Sequence, residues 1–282
     1  MTGDVGSSQC PWPGMEGGYQ DQSLEVSPPS ALELWIASPT LVAGGGDPRN
    51  LLRIWLPEAV TVDRDGEQPL PLYTKQEGAH WVAQTRGVSD MKRRRPTRQH
   101  LRAVDTLGDL ALMTREVLWR GEQADLEIRL RNTGRLGWDR LRLCICLQRT
   151  GAPDFADVGR ERTYLLTDRG FLPVARLAPP DHGAKVFCEV GQPVRLEDES
   201  AARITEGVFF VQSEDGRYVL CYAWRPAWRI VYHPSACVNC LHVDPAMTDV
   251  PPHAEASASG LLFVAECSLE DACRRYRAWA EV

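Results

Sequence analysis

The segment Cys237-Val238-Asn239-Cys240-Leu241-His242-Val243-Asp244-Pro245 is the densest run of reactive side chains in the chain, with two thiols, an imidazole and a carboxylate. If it is extended, the two-residue period of a strand points Cys240, His242 and Asp244 to one face, with Leu241 and Val243 on the other. A His and a carboxylate two apart on a strand can transfer protons, the carboxylate holding the imidazole, or can both ligate a metal. Pro245 is expected to end the strand and leave Asp244 at a rim, where ligands reach a sandwich. The bland alternative is a His satisfied by its neighbouring Asp. Cys237-x-x-Cys240 also has a spacing that can hold zinc or a redox disulfide. A structural zinc would want a second pair, for which Cys144-Ile145-Cys146 is the compact candidate. No βαβ pattern precedes the motif, as a thioredoxin-like site requires, so most of the cysteines read as small core hydrophobes.

A second candidate is Arg160-Glu161-Arg162-Thr163-Tyr164. Extended, it places Arg160, Arg162 and Tyr164 on one face and Glu161 with Thr163 on the other. Guanidinium and phenol could then bind a carboxylate or an array of sugar hydroxyls. An exposed ion-pair ladder is the dull alternative. Upstream, Ala152 to Asp157 reads as a loop whose carboxylates are free to serve a site, and Asp181-His182-Gly183 as a loop with an ionisable pair. The basic cluster Lys92-Arg93-Arg94-Arg95, with Arg98 and Arg102, reads as a solvated loop or edge strand. There is no G-x-S-x-G elbow, no Walker-type phosphate loop, no H-E-x-x-H helix and no dinucleotide fingerprint. Gly44-Gly45-Gly46 lacks a following helix pattern and reads as a turn.

The elements that position these residues follow from pattern. The chain has 282 residues, 43% hydrophobic and 25% charged, with a formal net charge of -6, so composition gives no electrostatic footprint for nucleic acid. No apolar run approaches the roughly 20 residues that span a bilayer, and residues 1–30 lack a secretory pattern. A cytoplasmic, membrane-free chain with reduced thiols is expected, its nine cysteines being an odd number. Residues 1–29 read as a flexible arm, and 30–282 as one domain of short apolar or alternating runs divided by turns, the pattern of an antiparallel sandwich or barrel.

The clearest strand, Asp125 to Arg131, alternates aliphatic with charged residues, one face buried and one wet. In Leu141 to Gln148 the aliphatics share one face, and Arg142, Cys144, Cys146 and Gln148 share the other. Asp215-Gly216 predicts a hairpin between Val208 and Trp224, and Thr167 to Gly170 another. Ser268-Leu269-Glu270-Asp271 predicts the N-terminus of a C-terminal helix that lies as a lid on the sheet. The nine Trp are either core plugs, as for Trp55, Trp81 and Trp119 inside apolar runs, or sugar-stacking platforms.

Two passages carry a family resemblance. The alternating strand from Leu126, followed by Arg131-Asn132-Thr133-Gly134 and a new strand, resembles the strand, N-T-G, strand passage of galactose mutarotase-like β-supersandwich proteins. Cys240 to Pro245, with Val250-Pro251-Pro252-His253-Ala254-Glu255 and the strand Gly260 to Glu266, is similar to that family's late strand with its catalytic carboxylate and the turn after it. The resemblance implies an all-β, antiparallel β-supersandwich with one C-terminal helix, and a sugar-sized concave sheet. It sets Asp244, in place of the usual Glu, where the family has its general base. The family's acid His is replaced by Cys144, Cys146 and Gln148, so His242 or His182 would have to supply the acid.

The resulting expectation is proton-transfer chemistry on a sugar: epimerisation, ring opening or β-elimination. Asp244 is the base, His242 the acid or its orienting partner and His182 a second acid candidate; Arg162, Tyr164 and Glu161 hold the substrate. It requires no cofactor or metal. Its partner is a small-molecule or oligosaccharide ligand, not nucleic acid or a membrane, and the oligomeric state is left open. The competing classes are a non-catalytic carbohydrate-binding module with exposed Trp side chains on a shallow face, and a metal-dependent enzyme using His242, Asp244 and a distant His.

Overall fold

The alternating runs become strands. A computed structural model describes residues 24–26, 33–37, 51–64, 69–74, 82–83, 98–120, 122–177, 185–234 and 239–282. In chain order its elements are β1 (Leu24–Val26), β2 (Glu33–Ala37), β3 (Leu51–Asp63), β4 (Leu70–Thr74), β5 (Val82–Ala83), β6 (Arg98–Leu107), β7 (Ala111–Arg120), β8 (Gln123–Asn132) and β9 (Trp138–Gln148). Then follow β10 (Thr163–Thr167), β11 (Gly170–Pro173), β12 (Val186–Glu189), β13 (Pro193–Arg195), β14 (Ala201–Gln212), β15 (Tyr218–Arg225), β16 (Ala227–Pro234), β17 (Asn239–Val250), β18 (Glu255–Glu266) and the helix α1 (Leu269–Ala280).

Pairing is antiparallel throughout the described residues. An 8-stranded sheet runs β1-β2-β3-β9-β17-β16-β12, with β4 beside β3. A 10-stranded sheet runs β11-β10-β14-β15-β18-β8-β7-β6-β5, with β13 beside β14. Their inner faces share one core. Leu141, Leu143, Ile145 and Leu147 of β9 and Leu241 and Val243 of β17 join Leu126, Ile128 and Leu130 of β8 and Tyr222 and Trp224 of β15. Each such aliphatic side chain removed from water contributes about 1.5–3 kcal/mol. The two-layer, all-β antiparallel supersandwich with a C-terminal helix is therefore the architecture the patterns imply.

The helix starts where its cap predicts, with the Asp271 backbone N–H donating to Ser268 Oγ at 3.1 Å. Its inner side, Ala272, Cys273 and Tyr276, forms a second, smaller core with Phe210, Cys221 and Phe263 on the outer face of the 10-stranded sheet. Both predicted hairpins form, as β14–β15 and β10–β11, with Gly216 at φ 71 and Gly170 at φ 90 supplying the left-handed residue. Asn132 explains the N-T-G passage. Its buried amide donates to the carbonyls of Leu136 (2.8 Å), Val250 (3.3 Å) and Pro251 (3.2 Å), while Oδ1 accepts from Gly134 N–H, which ties the β8–β9 turn to the β17–β18 turn.

Three expectations are corrected. Pro245 does not end its strand: β17 continues to Val250, because ladder partners to β9 lapse between His242 and Ala246 and a residue without an N–H is tolerated there. Residues 160–162 are not extended. Arg160 has φ 64, and the chain turns about the Asp157 carboxylate, which accepts from the Glu161 and Arg162 backbone N–H groups and from the Thr163 hydroxyl. Asp157 is consequently buried in that turn, not free to serve a ligand. Leu24–Val26 pairs with β2. The rest of the arm, Gly44 to Gly46, Trp81, Lys92 to Arg95, His182 and Cys237 lie outside the described residues. No described helix is long and apolar enough to cross a membrane.

Candidate functional site

Chemistry-bearing side chains gather on two outer faces, one on each sheet. On the 8-stranded sheet, β17 does present Cys240, His242 and Asp244 outward while Leu241 and Val243 enter the core. Register sets their neighbours: Cys146 of β9 opposes His242, Gln148 opposes Cys240, and Arg229 and His233 of β16 oppose Asp244 and Cys240. One strand further, Trp55 of β3 opposes Cys146. The ladders are irregular around this spot in all three strand pairs. β3–β9 slips between Trp55 and Ala59, β16–β17 slips between Ala227 and Arg229, and β9–β17 lapses beside Asp244. Such irregularities re-aim side chains and are over-represented next to functional sites.

The backbone groups freed by the lapse are met by side chains. Ile145 N–H donates to Asp244 Oδ1 at 3.1 Å, and the Tyr222 hydroxyl, reaching from the opposite sheet, donates to Ile145 O at 3.2 Å. Arg229 donates to Asp244 Oδ2 through Nε at 2.9 Å and through its terminal nitrogen at 2.5 Å. His242 lies between three groups: Nδ1 is 3.4 Å from Cys144 Sγ and 3.7 Å from Asp244 Oδ1, and Nε2 is 3.4 Å from Cys240 Sγ. The Cys144 thiol also contacts Glu58 Oε2 at 3.8 Å. The Cys146 hydrogen bond lowers the Cys240 thiol to about 5, against burial, with His242 acting in the same direction. Burial alone would push the His242 imidazole down, but hydrogen bonds to Asp244, Cys144, Cys146 and Cys240 outweigh it and favour the charged ring. Cys146 moves up, through its bond to Cys240 and burial.

His242 and Asp244 lie side by side, as their spacing predicts, but not at a rim. Asp244 is 0% exposed, with both oxygens engaged, so the structure gives it the geometry of a buried, orienting anion and not of a base at a rim. The substrate-holding residues do not join them. Arg162 donates to the carbonyls of Asp154 (3.0 Å), Ala156 (2.7 Å) and Gln212 (2.8 Å), tacking the 153–157 turn to the end of β14. Tyr164, in the 10-stranded sheet, donates to Gln212 Oε1 at 3.1 Å, and Glu161 is exposed on the turn.

The second face belongs to the 10-stranded sheet. Helix α1 covers the outward residues Leu261, Phe263 and Ala265 of β18 and stops short of Ser259. At that step opens a cavity of about 820 Å³, lined among others by Trp279 of the helix, His100 of β6, Glu116 of β7, Asp125 and Glu127 of β8, and Ser259. Glu116 and Glu127 are direct cross-strand partners, a repulsive arrangement unless a cation intervenes. Arg129 supplies it, bonded to Glu116 and 3.8 Å from Glu127. His100 Nε2 lies 3.1 Å and Arg102 Nε 3.4 Å from Glu116. Gly260 forms part of the floor because the Trp224 indole lies beneath it, 2.6 Å from where a Cβ would stand. The signal for this groove was present in the alternating Asp125 to Arg131 strand and in the change from Ser257 and Ser259 to Leu261 and Phe263 along β18.

No family model matches the chain, and no curated protein matches its sequence. Solved structures do match in shape. An α-N-acetylgalactosaminidase of Bifidobacterium bifidum, in complex with GalNAc, superposes with a TM-score of 0.52 at 10% identity, over 93% of this chain and 38% of that one. A galactose mutarotase related enzyme of Lactobacillus acidophilus gives 0.44 at 7% identity over 78% and 84%. A candidate aldose 1-epimerase of Escherichia coli K12 gives 0.39 at 11% over 77% and 84%. These likenesses concern fold and not activity. The chain stands in a weak structural relation to galactose mutarotase-like and aldose 1-epimerase structures.

Proposed function

We propose that the protein takes a neutral or amino sugar in the groove at the end of α1. The observation that carries this reading is the composition of that groove: an indole at its wall, and carboxylates and a hydroxyl along strands β7, β8 and β18. Sugars are recognised by an apolar ring face against an aromatic and by hydroxyls shared with fixed polar groups. Glu116, Asp125 and Glu127 offer acceptor oxygens to hydroxyl or ammonium donors, and the arginines paired with them hold those oxygens in place. One fold neighbour, the α-N-acetylgalactosaminidase, is in complex with GalNAc, which supports a sugar as the ligand.

A second, finer reading is proton transfer on the bound sugar. One observation favours it: Glu116 and Glu127 stand opposite each other within the groove, where Asp244 does not reach. The test is calorimetric titration of the full chain with galactose, GalNAc, galactosamine and a sulfated heparin fragment. Binding of the neutral or amino sugars, weakened in Trp279→Ala, is the expected result. Heat only from the heparin fragment, or sugar binding untouched in Trp279→Ala, would remove this assignment. For the finer reading, Glu127→Gln should abolish any anomerisation followed by NMR of the bound sugar.

A further inference from the structure

On the other face, we propose that Cys146, Cys240 and His242 form a Zn²⁺ site, with Asp244 as the group that orients the His242 ligand. The observations are independent of the sugar reading. The two cysteine sulfurs and the imidazole nitrogen all lie within 4.8 Å of one another. Zinc bonds sulfur at about 2.3 Å and imidazole nitrogen at about 2.0–2.1 Å, so a tetrahedral centre sets S···N edges near 3.5 Å and S···S edges near 3.8 Å. The observed Cys240 Sγ to His242 Nε2 separation, 3.4 Å, is such an edge. Adjacent strands in fixed register supply the ligands, Cys240 and His242 from one and Cys146 from its neighbour, so the ion enters without backbone rearrangement.

The surroundings fit a metal better than they fit an empty core. Trp55 closes over Cys146 and Cys240 in a small apolar cluster separate from the main core, and the two thiols are 2% and 3% exposed. A ligating His characteristically donates its other N–H to a carboxylate, which fixes ring and tautomer. Here the carboxylate facing Nδ1 is Asp244, at an ion-pair distance of 3.7 Å and anchored by Arg229 and the Ile145 N–H, with Cys144 Sγ nearer at 3.4 Å. Glu58, Cys144 and His242 make a second donor triplet on the Nδ1 side. The first is favoured because its two soft thiols are the more buried and its use leaves Nδ1 facing Asp244. Loading is a ligand exchange with no redox change. One Zn²⁺ replaces two protons of the cluster, one from the Cys146 thiol and one from Nε2 of the charged His242 ring, which go to solvent, and the two Zn–S bonds and one Zn–N bond leave a neutral unit. Three protein ligands leave a fourth position open, the pattern of a zinc centre able to take water or an exogenous ligand.

The test uses the full chain purified without chelator. Elemental analysis should find about one zinc per chain, falling at least tenfold in Cys146→Ser and in Cys240→Ser and unchanged in Cys267→Ser, a partly exposed thiol in the β18–α1 turn. Because either ligand variant could fold poorly, the unaltered protein is also exchanged into Co²⁺. Tetrahedral visible bands with the sulfur-to-cobalt transition of two thiolates support the site, and stripping the metal should expose two further thiols to titration. Absence of stoichiometric zinc, an octahedral cobalt spectrum, zinc retained in a folded Cys240→Ser, or a Cys146–Cys240 disulfide in the isolated protein would each overturn it.

Discussion

The outer faces of the two sheets are built from the same antiparallel alternation and reach opposite ends. On the 10-stranded sheet the outward side chains around the groove are charged, partly exposed and paired across strands, with Glu116 meeting Arg129, Arg102 and His100. On the 8-stranded sheet the outward side chains are thiols, an imidazole and a sealed carboxylate, and the strand ladders are irregular around them. The first face stays open to solvent. The second concentrates reactive groups in a largely buried setting, so the sealed ones must be satisfied by specific partners. Reactive residue types are therefore a poor guide to where a soluble ligand binds. Cover is the better guide, and α1 decides it by shielding one half of its sheet and ending beside the other.

Stability changes should separate the faces most sharply. Arg229→Ala leaves Asp244 as an uncompensated buried charge and should cost about 3–5 kcal/mol, whereas Arg129→Ala, on the solvated network, should cost less than about 1 kcal/mol; urea unfolding measures both. Equal losses would erase the distinction. Asn132→Ala, which strips buried carbonyls of a shared donor, is expected to cost about 2–3 kcal/mol in the same assay. Gly260→Ala forces a methyl into the Trp224 indole and should cost about 1–3 kcal/mol while also disturbing the groove floor, visible as weaker sugar binding. Trp279→Ala should reduce sugar affinity about three- to tenfold, since an aromatic contact is worth about 0.5–1.5 kcal/mol.

Much of the fold was legible because alternation is local. Leu126, Ile128 and Leu130 name their own buried face, Asp215-Gly216 its own turn, and Ser268 with Asp271 its own helix start. The pairing of His242 with Asp244 was legible for the same reason, both being on one strand. What failed was non-local. Nothing near Asp244 in sequence announces that Arg229, the Ile145 N–H and the gap beside Pro245 would seal it, because those contacts depend on the registers of three strands. Arg162 was misread because Asp157 curls the chain just before β10, turning a nominal strand face into a turn. The groove joins strands to a helix over 100 residues downstream, and only the packed structure shows where that helix ends.

Hydrogen–deuterium exchange of the full chain, with and without saturating GalNAc, tests the division between the faces most directly. The account predicts slowed exchange in Ala111–Arg120, Gln123–Asn132 and the last turn of Leu269–Ala280, with Ala227–Pro234 and Asn239–Val250 unchanged. Protection confined to those last two strands, around His242, would contradict it.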